Sequence, residues 1–273
     1  MRMQYREKVY ECGDYLEVDI YPVFREQGGK CRRRAKSKPT RAVQEKLNQR
    51  NAERKLIRIL NGNFTKGDIH ITLTYRADAL PETYEESLRD ARNYLRRVNR
   101  MRKKLGLPEL KYVLIPGEGK FHFHIIMNGG LSRDVLEELW GYGYANTERL
   151  QFTENGLAGL ATYIGAQFIT EEGDKRERGQ KRYSCSRNIV MPEGKERDGR
   201  ISQRLVCELA TVDSESRAAF EKLYRGYTFV ESKPFYNDFN GGYYITVRMH
   251  KSAMRLDNSK ERRSRYGTEE NMP

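Results

Sequence analysis

Long hydrophobic runs are missing from this chain. No apolar stretch approaches the ~20 residues that span a bilayer as a helix. The opening Met1-Arg2-Met3-Gln4-Tyr5-Arg6 leads into charged residues rather than into the apolar core of a signal peptide. Both absences argue against a membrane partner and for a cytoplasmic location. Cysteine is scarce and scattered: Cys12, Cys31, Cys185 and Cys207 show no CxxC and no paired spacing. That excludes a cysteine-built zinc site and a disulfide framework, and predicts reduced, structural thiols. No GxxxxGK(S/T) loop occurs, so neither a nucleotide cofactor nor an attached helicase is expected. There is no internal repeat. Histidine is rare too, at four residues, and two of the four share one short segment.

Positive charge is abundant. The chain carries 51 Lys+Arg against 38 Asp+Glu, a formal net charge of +13 in 273 residues. That field attracts polyanions, and nucleic acid is the expected partner. With 37% hydrophobic residues, the length suffices for one large domain or a core with elaborations.

Periodicity divides the chain. Leu16, Val18 and Ile20 alternate with Glu17 and Asp19, giving a strand over 15–23. The stretch 28–38, with Arg32, Arg33, Arg34, Lys36 and Lys38, reads as a basic loop or arm. Helical spacing covers 40–60 and stops at Asn61-Gly62-Asn63. It returns after Pro81, where Leu88, Ala91, Leu95, Val98 and Leu105 form a stripe. The outer face of that helix holds Arg89, Arg92, Arg96, Arg97, Arg100, Lys103 and Lys104. Strands over 68–75, 110–115 and 120–127 follow, then a short helix capped by Ser132 and ending near Trp140, a strand over 148–153 and a helix over 157–168. Residues 183–190 read as extended, and 203–210, 227–231 and 243–249 as further strands. Segment 171–180 and the tail after Lys251 are polar and expected to be mobile or disordered.

This order gives an α+β class. An antiparallel sheet carries helices on one face and leaves the other open, with extra N- and C-terminal β elements. The expected division is 1–39 as strand and basic arm, 40–190 as core, 191–251 as β-rich elaboration and 252–273 as tail.

His122 and His124 lie in Lys120-Phe121-His122-Phe123-His124-Ile125-Ile126-Met127, an apolar and aromatic segment of strand type. Residues two apart on a strand share a face. Both imidazoles therefore point the same way, as two ligands of one metal ion require. The same spacing also suits two hydrogen-bonded histidines on a half-polar face. On the strand over 68–75, His70, Thr72 and Thr74 share one parity.

Three features stand in order: the strand Ile71-Thr72-Leu73-Thr74-Tyr75, the His122-Phe123-His124 strand, and the helix Leu160-Ala161-Thr162-Tyr163-Ile164. Together they resemble the HUH endonucleases, in which two histidines flank one residue. The nearest likeness is to the rolling-circle replication initiators of phages, plasmids and integrated elements of Gram-positive bacteria. Asn128-Gly129-Gly130, Leu139-Trp140-Gly141-Tyr142-Gly143 and Arg182-Tyr183-Ser184-Cys185-Ser186-Arg187-Asn188 add to it. The likeness covers roughly 40–190 and implies an antiparallel sheet of ferredoxin or RRM-like type.

The resemblance also implies an activity: metal-dependent, sequence-directed nicking of single-stranded or hairpin origin DNA. A tyrosine hydroxyl joins the 5′ phosphate, the freed 3′ hydroxyl primes rolling-circle replication by host replication proteins, and the strand is later rejoined. On this likeness Tyr163 is the nucleophile. His122 and His124 are ligands of Mn2+ or Mg2+, with Glu118 as third ligand and His70 as its rival. Thr72, Thr74, Gln167, Arg182, Tyr183 and Arg187 are DNA-contact residues. One departure stands out. The family's lysine three residues after the tyrosine is here Ala166, and Gln167 shares its helix face without charge. Lys175 or Arg187 could substitute. The same chemistry serves single-tyrosine transposases and mobilisation relaxases. Ala166 also leaves room for a catalytically weakened DNA-binding member, and a metal-dependent RNA-processing protein is a further alternative.

Overall fold

The computed structural model describes residues 2–25, 41–117, 121–166 and 182–252. The chain begins with β1 (Arg2–Cys12) and β2 (Tyr15–Arg25). It continues through α1 (Arg41–Asn63), β3 (Ile69–Tyr75), α2 (Tyr84–Lys104), β4 (Tyr112–Pro116), β5 (His122–Met127), α3 (Arg133–Trp140), β6 (Gly143–Arg149), α4 (Ala158–Ala166) and β7 (Ser184–Cys185). It ends with β8 (Gly194–Asp198), α5 (Gln203–Leu209), α6 (Ser214–Leu223), β9 (Tyr227–Asn237) and β10 (Gly242–Lys251). Two units emerge: a central one, Pro39–Met191, and a terminal one built from Met1–Lys38 and Pro192–Pro273. Each contains one five-stranded sheet, and every strand pairing is antiparallel. The α+β antiparallel class read from the sequence is the class observed. The basic stretch 28–38, the charged stretch 171–180 and the tail beyond 252 lie outside the described residues.

The central sheet runs β6-β3-β5-β4-β7. One face presents Ile69, Ile71, Leu73, Phe123, Ile125 and Met127, which pack with Ala91, Tyr94, Leu95 and Val98 of α2 and Leu136 and Trp140 of α3. The opposite face does not stay open as expected. Val113, Ile115 and Ile126 there pack with Leu56, Ile57 and Leu60 of α1 and Ala161 and Ile164 of α4. The reason is legible in retrospect. Val113-Leu114-Ile115 and Ile125-Ile126 are continuous apolar runs rather than alternations, the pattern of strands buried on both faces. Only the β3 and β5 portion of this second face carries polar side chains.

The terminal sheet runs β8-β1-β2-β10-β9. Gly13, with φ of 66°, closes the two-residue turn between Cys12 and Tyr15. Tyr5, Val9, Leu16, Val18, Ile20, Ile245 and Val247 form the core with Val206, Leu209 and Phe220 of α5 and α6. Here the sequence reading fails in several places. The expected strand over 203–210 is helix α5, because Ser202 caps it by accepting the Leu205 N–H at 3.2 Å. Helix α6, capped by Asp213, and strands β1 and β8 were not anticipated. In the central unit the strand expected over 148–153 is β6, ending at Arg149, and the extended run over 183–190 shrinks to β7.

Much of what looked like motif is fastening. Asn128 Oδ1 accepts the Lys111 N–H at 2.8 Å, and its Nδ2 donates to Glu109 O. A Cβ on Gly129 would overlap the Gly67 carbonyl. The Trp140 indole N–H donates to Thr74 O at 3.1 Å. Ser186 Oγ accepts the Tyr112 N–H, and Asn188 Nδ2 donates to Leu110 O. Arg97, assigned above to the solvated face of α2, instead donates to the Leu139 and Trp140 carbonyls. Among the described residues no helix is long and apolar enough to cross a membrane, and Cys12, Cys185 and Cys207 form no disulfide.

Candidate functional site

The register of β3 against β5 builds the site. Thr72 stands opposite His124 and Thr74 opposite His122, so all four project to the same face. The His122 and His124 rings lie with centroids 5.2 Å apart and planes at 86°. His124 is buried and His122 half-buried. Thr72 is half-buried and Thr74 exposed.

Behind this pair, His70 Nε2 sits 3.1 Å from His124 Nδ1, and Thr72 Oγ1 lies 3.3 Å from the same nitrogen. Burial pushes the His70 imidazole down to about 4, so it is neutral at physiological pH. The sign of the consequence follows. Between pH 4 and the ordinary value of 6.5 the unfolded chain binds a proton that the folded chain refuses, so stability falls as pH drops through that window. Urea unfolding should show about 2 kcal/mol less stability at pH 5 than at pH 7, and His70→Gln should remove most of that slope. A slope unchanged by the substitution would contradict the assignment.

Helix α4 brings in the phenol. Thr162 Oγ1 donates to Glu53 Oε1 of α1 at 2.6 Å. This bond fixes the rotation of α4 about its axis. Tyr163, the next residue, is 61% exposed, and its ring centroid is 6.4 Å from that of His124. An exposed aromatic beside two imidazoles on a basic protein is placed to meet a substrate rather than a core.

A small cavity adjoins this cluster. Gln49, Glu53, Leu56, Ile115, Gly165, Arg182 and Tyr183 line it. Ile115 pairs with His124 across β4 and β5, and Gly165 lies two residues beyond Tyr163, so the cavity sits beside the histidines. Tyr183 packs against the apolar cluster under α1 and α4. Burial, with a smaller contribution from Cys185, pushes its phenol up to about 12. Arg187 is exposed. Glu118, Gln167 and Lys175 lie outside the described residues, and Ala166 is the last residue of α4.

Two contributors escaped the sequence reading. A Cβ on Gly117 would overlap the His122 ring, so the absence of a side chain there makes room for the imidazole. Gly117 has no left-handed φ, so this is a question of space and not of backbone. His70 was noticed by parity but read as a ligand; its bond to His124 needed the strand register.

A divalent cation, which the resemblance implies, can be tested against this donor set. Two imidazoles share a face at ligand spacing, which suits borderline divalent ions. Among the described residues, however, no three His, Cys, Asp or Glu side chains are grouped to hold a metal. The described part of the site thus fits as a two-histidine half-site, with any oxygen ligand coming from elsewhere.

An antiparallel sheet that collects histidines, threonines and an exposed tyrosine on one face is the class of site defined here. Residues 68–168, which contain His70, Thr72, Gly117, His122, His124 and Tyr163, match the model of a phage replication protein family, described as replication-associated protein ORF2. No curated protein and no solved structure gives a significant match.

Proposed function

We propose that this chain is a replication initiator of phage or plasmid type that nicks and rejoins single-stranded origin DNA through a covalent bond to Tyr163. One observation carries the reading: His122, His124 and exposed Tyr163 converge on one sheet face inside the stretch that matches a replication-associated family.

In the forward step the Tyr163 hydroxyl loses its proton and its oxygen attacks phosphorus. The bond from phosphorus to the 3′ oxygen breaks, and that oxygen takes up a proton. The product is a 5′-phosphotyrosine and a free 3′ hydroxyl. Attack by a 3′ hydroxyl reverses it, with the phenolate as leaving group, so the phosphodiester energy is conserved. His122 and His124, with Glu118 as the oxygen ligand, would hold Mn2+ or Mg2+. The bound ion would supply Lewis-acid stabilisation of charge on the non-bridging oxygens. Thr72, Thr74, Gln167, Arg182 and Arg187 offer hydroxyl, amide and guanidinium groups to the DNA backbone. Host replication proteins would extend the 3′ end. The test is a denaturing gel of the chain with single-stranded DNA from its own genetic element, with Mn2+ or with chelator. A metal-dependent covalent adduct that maps to Tyr163 is expected; absence of any adduct sinks the reading.

Ala166 favours a second reading. With no lysine one helical turn after Tyr163, the protein would be a DNA-binding member with weak cleavage, whether its relatives act in replication, transposition or mobilisation. Ala166→Lys should then raise the adduct rate about tenfold or more, because a cation beside the phenol favours the phenolate. An unchanged rate would mean that another basic segment already supplies the charge.

A further inference from the structure

We propose that His70 is a positioning residue: its Nε2 accepts the Nδ1 proton of His124 and thereby keeps the His124 Nε2 lone pair for a cation. This inference rests on the metal-dependent reading above and assigns one of its parts.

The geometry is that of a directed hydrogen bond rather than of ring stacking. The nitrogens are 3.1 Å apart, the ring centroids 5.3 Å, and the planes 22° from parallel. The centroid separation exceeds the nitrogen distance by about two ring radii. The two centroids and two nitrogens therefore lie almost on one line. That line runs along the lone-pair axis of one ring and the N–H axis of the other, in both ring planes. Face-to-face rings would bring the centroids closer than this without aligning any nitrogen. The sheet dictates the encounter: Thr72 faces His124 directly, and His70, two residues back on the same face, reaches His124 along the diagonal. Both rings are buried, at 9% and 4% exposure, so water does not compete for the bond.

Chemistry then selects the direction. A neutral imidazole has one N–H and one lone pair. If His124 Nδ1 accepted a proton from His70, its Nε2 would carry the other hydrogen and could not ligate. If Nδ1 donates, Nε2 is the ligand atom, which is how metal-binding histidines are usually oriented by a second partner. Thr72 Oγ1, at 3.3 Å from Nδ1, can accept a share of the same proton. His70 Nε2 cannot both accept this proton and bind the ion, which removes that atom from the list of possible third ligands.

The wild-type chain, 15N-labelled at histidine, free of metal and near neutral pH, gives the first test by long-range 1H–15N spectra. His124 is expected with its proton on Nδ1; a proton on Nε2 overturns the proposal, and this readout needs no variant, DNA or metal. The second test is calorimetric Mn2+ binding. His70→Leu should weaken binding about 10–100-fold, whereas His70→Gln, whose amide oxygen can accept the same proton, should recover most of it. Equal affinity for the leucine variant and the wild type, with both folded, also overturns it. The two readings fail separately. No tyrosine adduct with an Nδ1-protonated His124 rejects nicking and supports the bond; an adduct with an Nε2-protonated His124 rejects the bond and supports nicking.

Discussion

Tyr163→Phe should abolish the covalent adduct with single-stranded DNA while leaving the protein folded and able to bind. The loss should be roughly a thousandfold or more, because removal of a covalent nucleophile leaves only the binding machinery. The substitution deletes one hydroxyl from a side chain that is 61% exposed, so unfolding should shift by no more than about 0.5 kcal/mol. Retention of the aromatic ring keeps its edge contact with His124 at a centroid distance of 6.4 Å. Adduct formation is measured on a denaturing gel, and binding by fluorescence anisotropy of a labelled oligonucleotide. If the phenylalanine variant still forms the adduct at wild-type rate, another of the tyrosines is the nucleophile and the assignment of α4 to the active site is wrong.

Gly117→Ala should be nearly as damaging through a single methyl group. The backbone at this position lies outside the left-handed region, so alanine meets no conformational penalty there. The methyl would overlap the His122 imidazole, and the ring must rotate or shift away. A displacement of about 1 Å in a reacting constellation costs on the order of a hundredfold in rate. Mn2+ affinity should fall together with adduct rate, since both depend on where His122 points. The half-buried position of His122 lets the ring swing outward, so the stability cost should stay within about 1–2 kcal/mol. Unchanged metal affinity and rate would show that His122 is not held where the reaction needs it.

The charge balance, the cysteine pattern and the strand character of residues 120–127 were all open to a linear reading. These properties depend on residue identity or on neighbours within a few positions. The α+β class and the sharing of one face by His122 and His124 followed for the same reason, because strand parity is a local rule. The terminal unit was far less legible. Its helix α5 contains Leu205-Val206 beside polar residues, which suits either a short strand or a capped turn. Only packing of Val206 and Leu209 against the sheet decides between them. β1 and β8 gain their partners from opposite ends of the chain, Arg6 facing Asp198 and Lys8 facing Glu196. No local window contains that pairing.

By itself the sequence determined which side chains could do chemistry and on which side of a strand each would fall. Tertiary structure decided what they do to one another. It placed α1 and α4 over the apolar half of the second sheet face and confined the polar groups to β3 and β5. It set Tyr163 near His124 through a Thr162–Glu53 bond between residues far apart in the chain. It also aligned His70 with His124 across two strands. The physical reason is that hydrogen-bond direction and ring approach are fixed by register and packing to fractions of an ångström, and residue order carries neither.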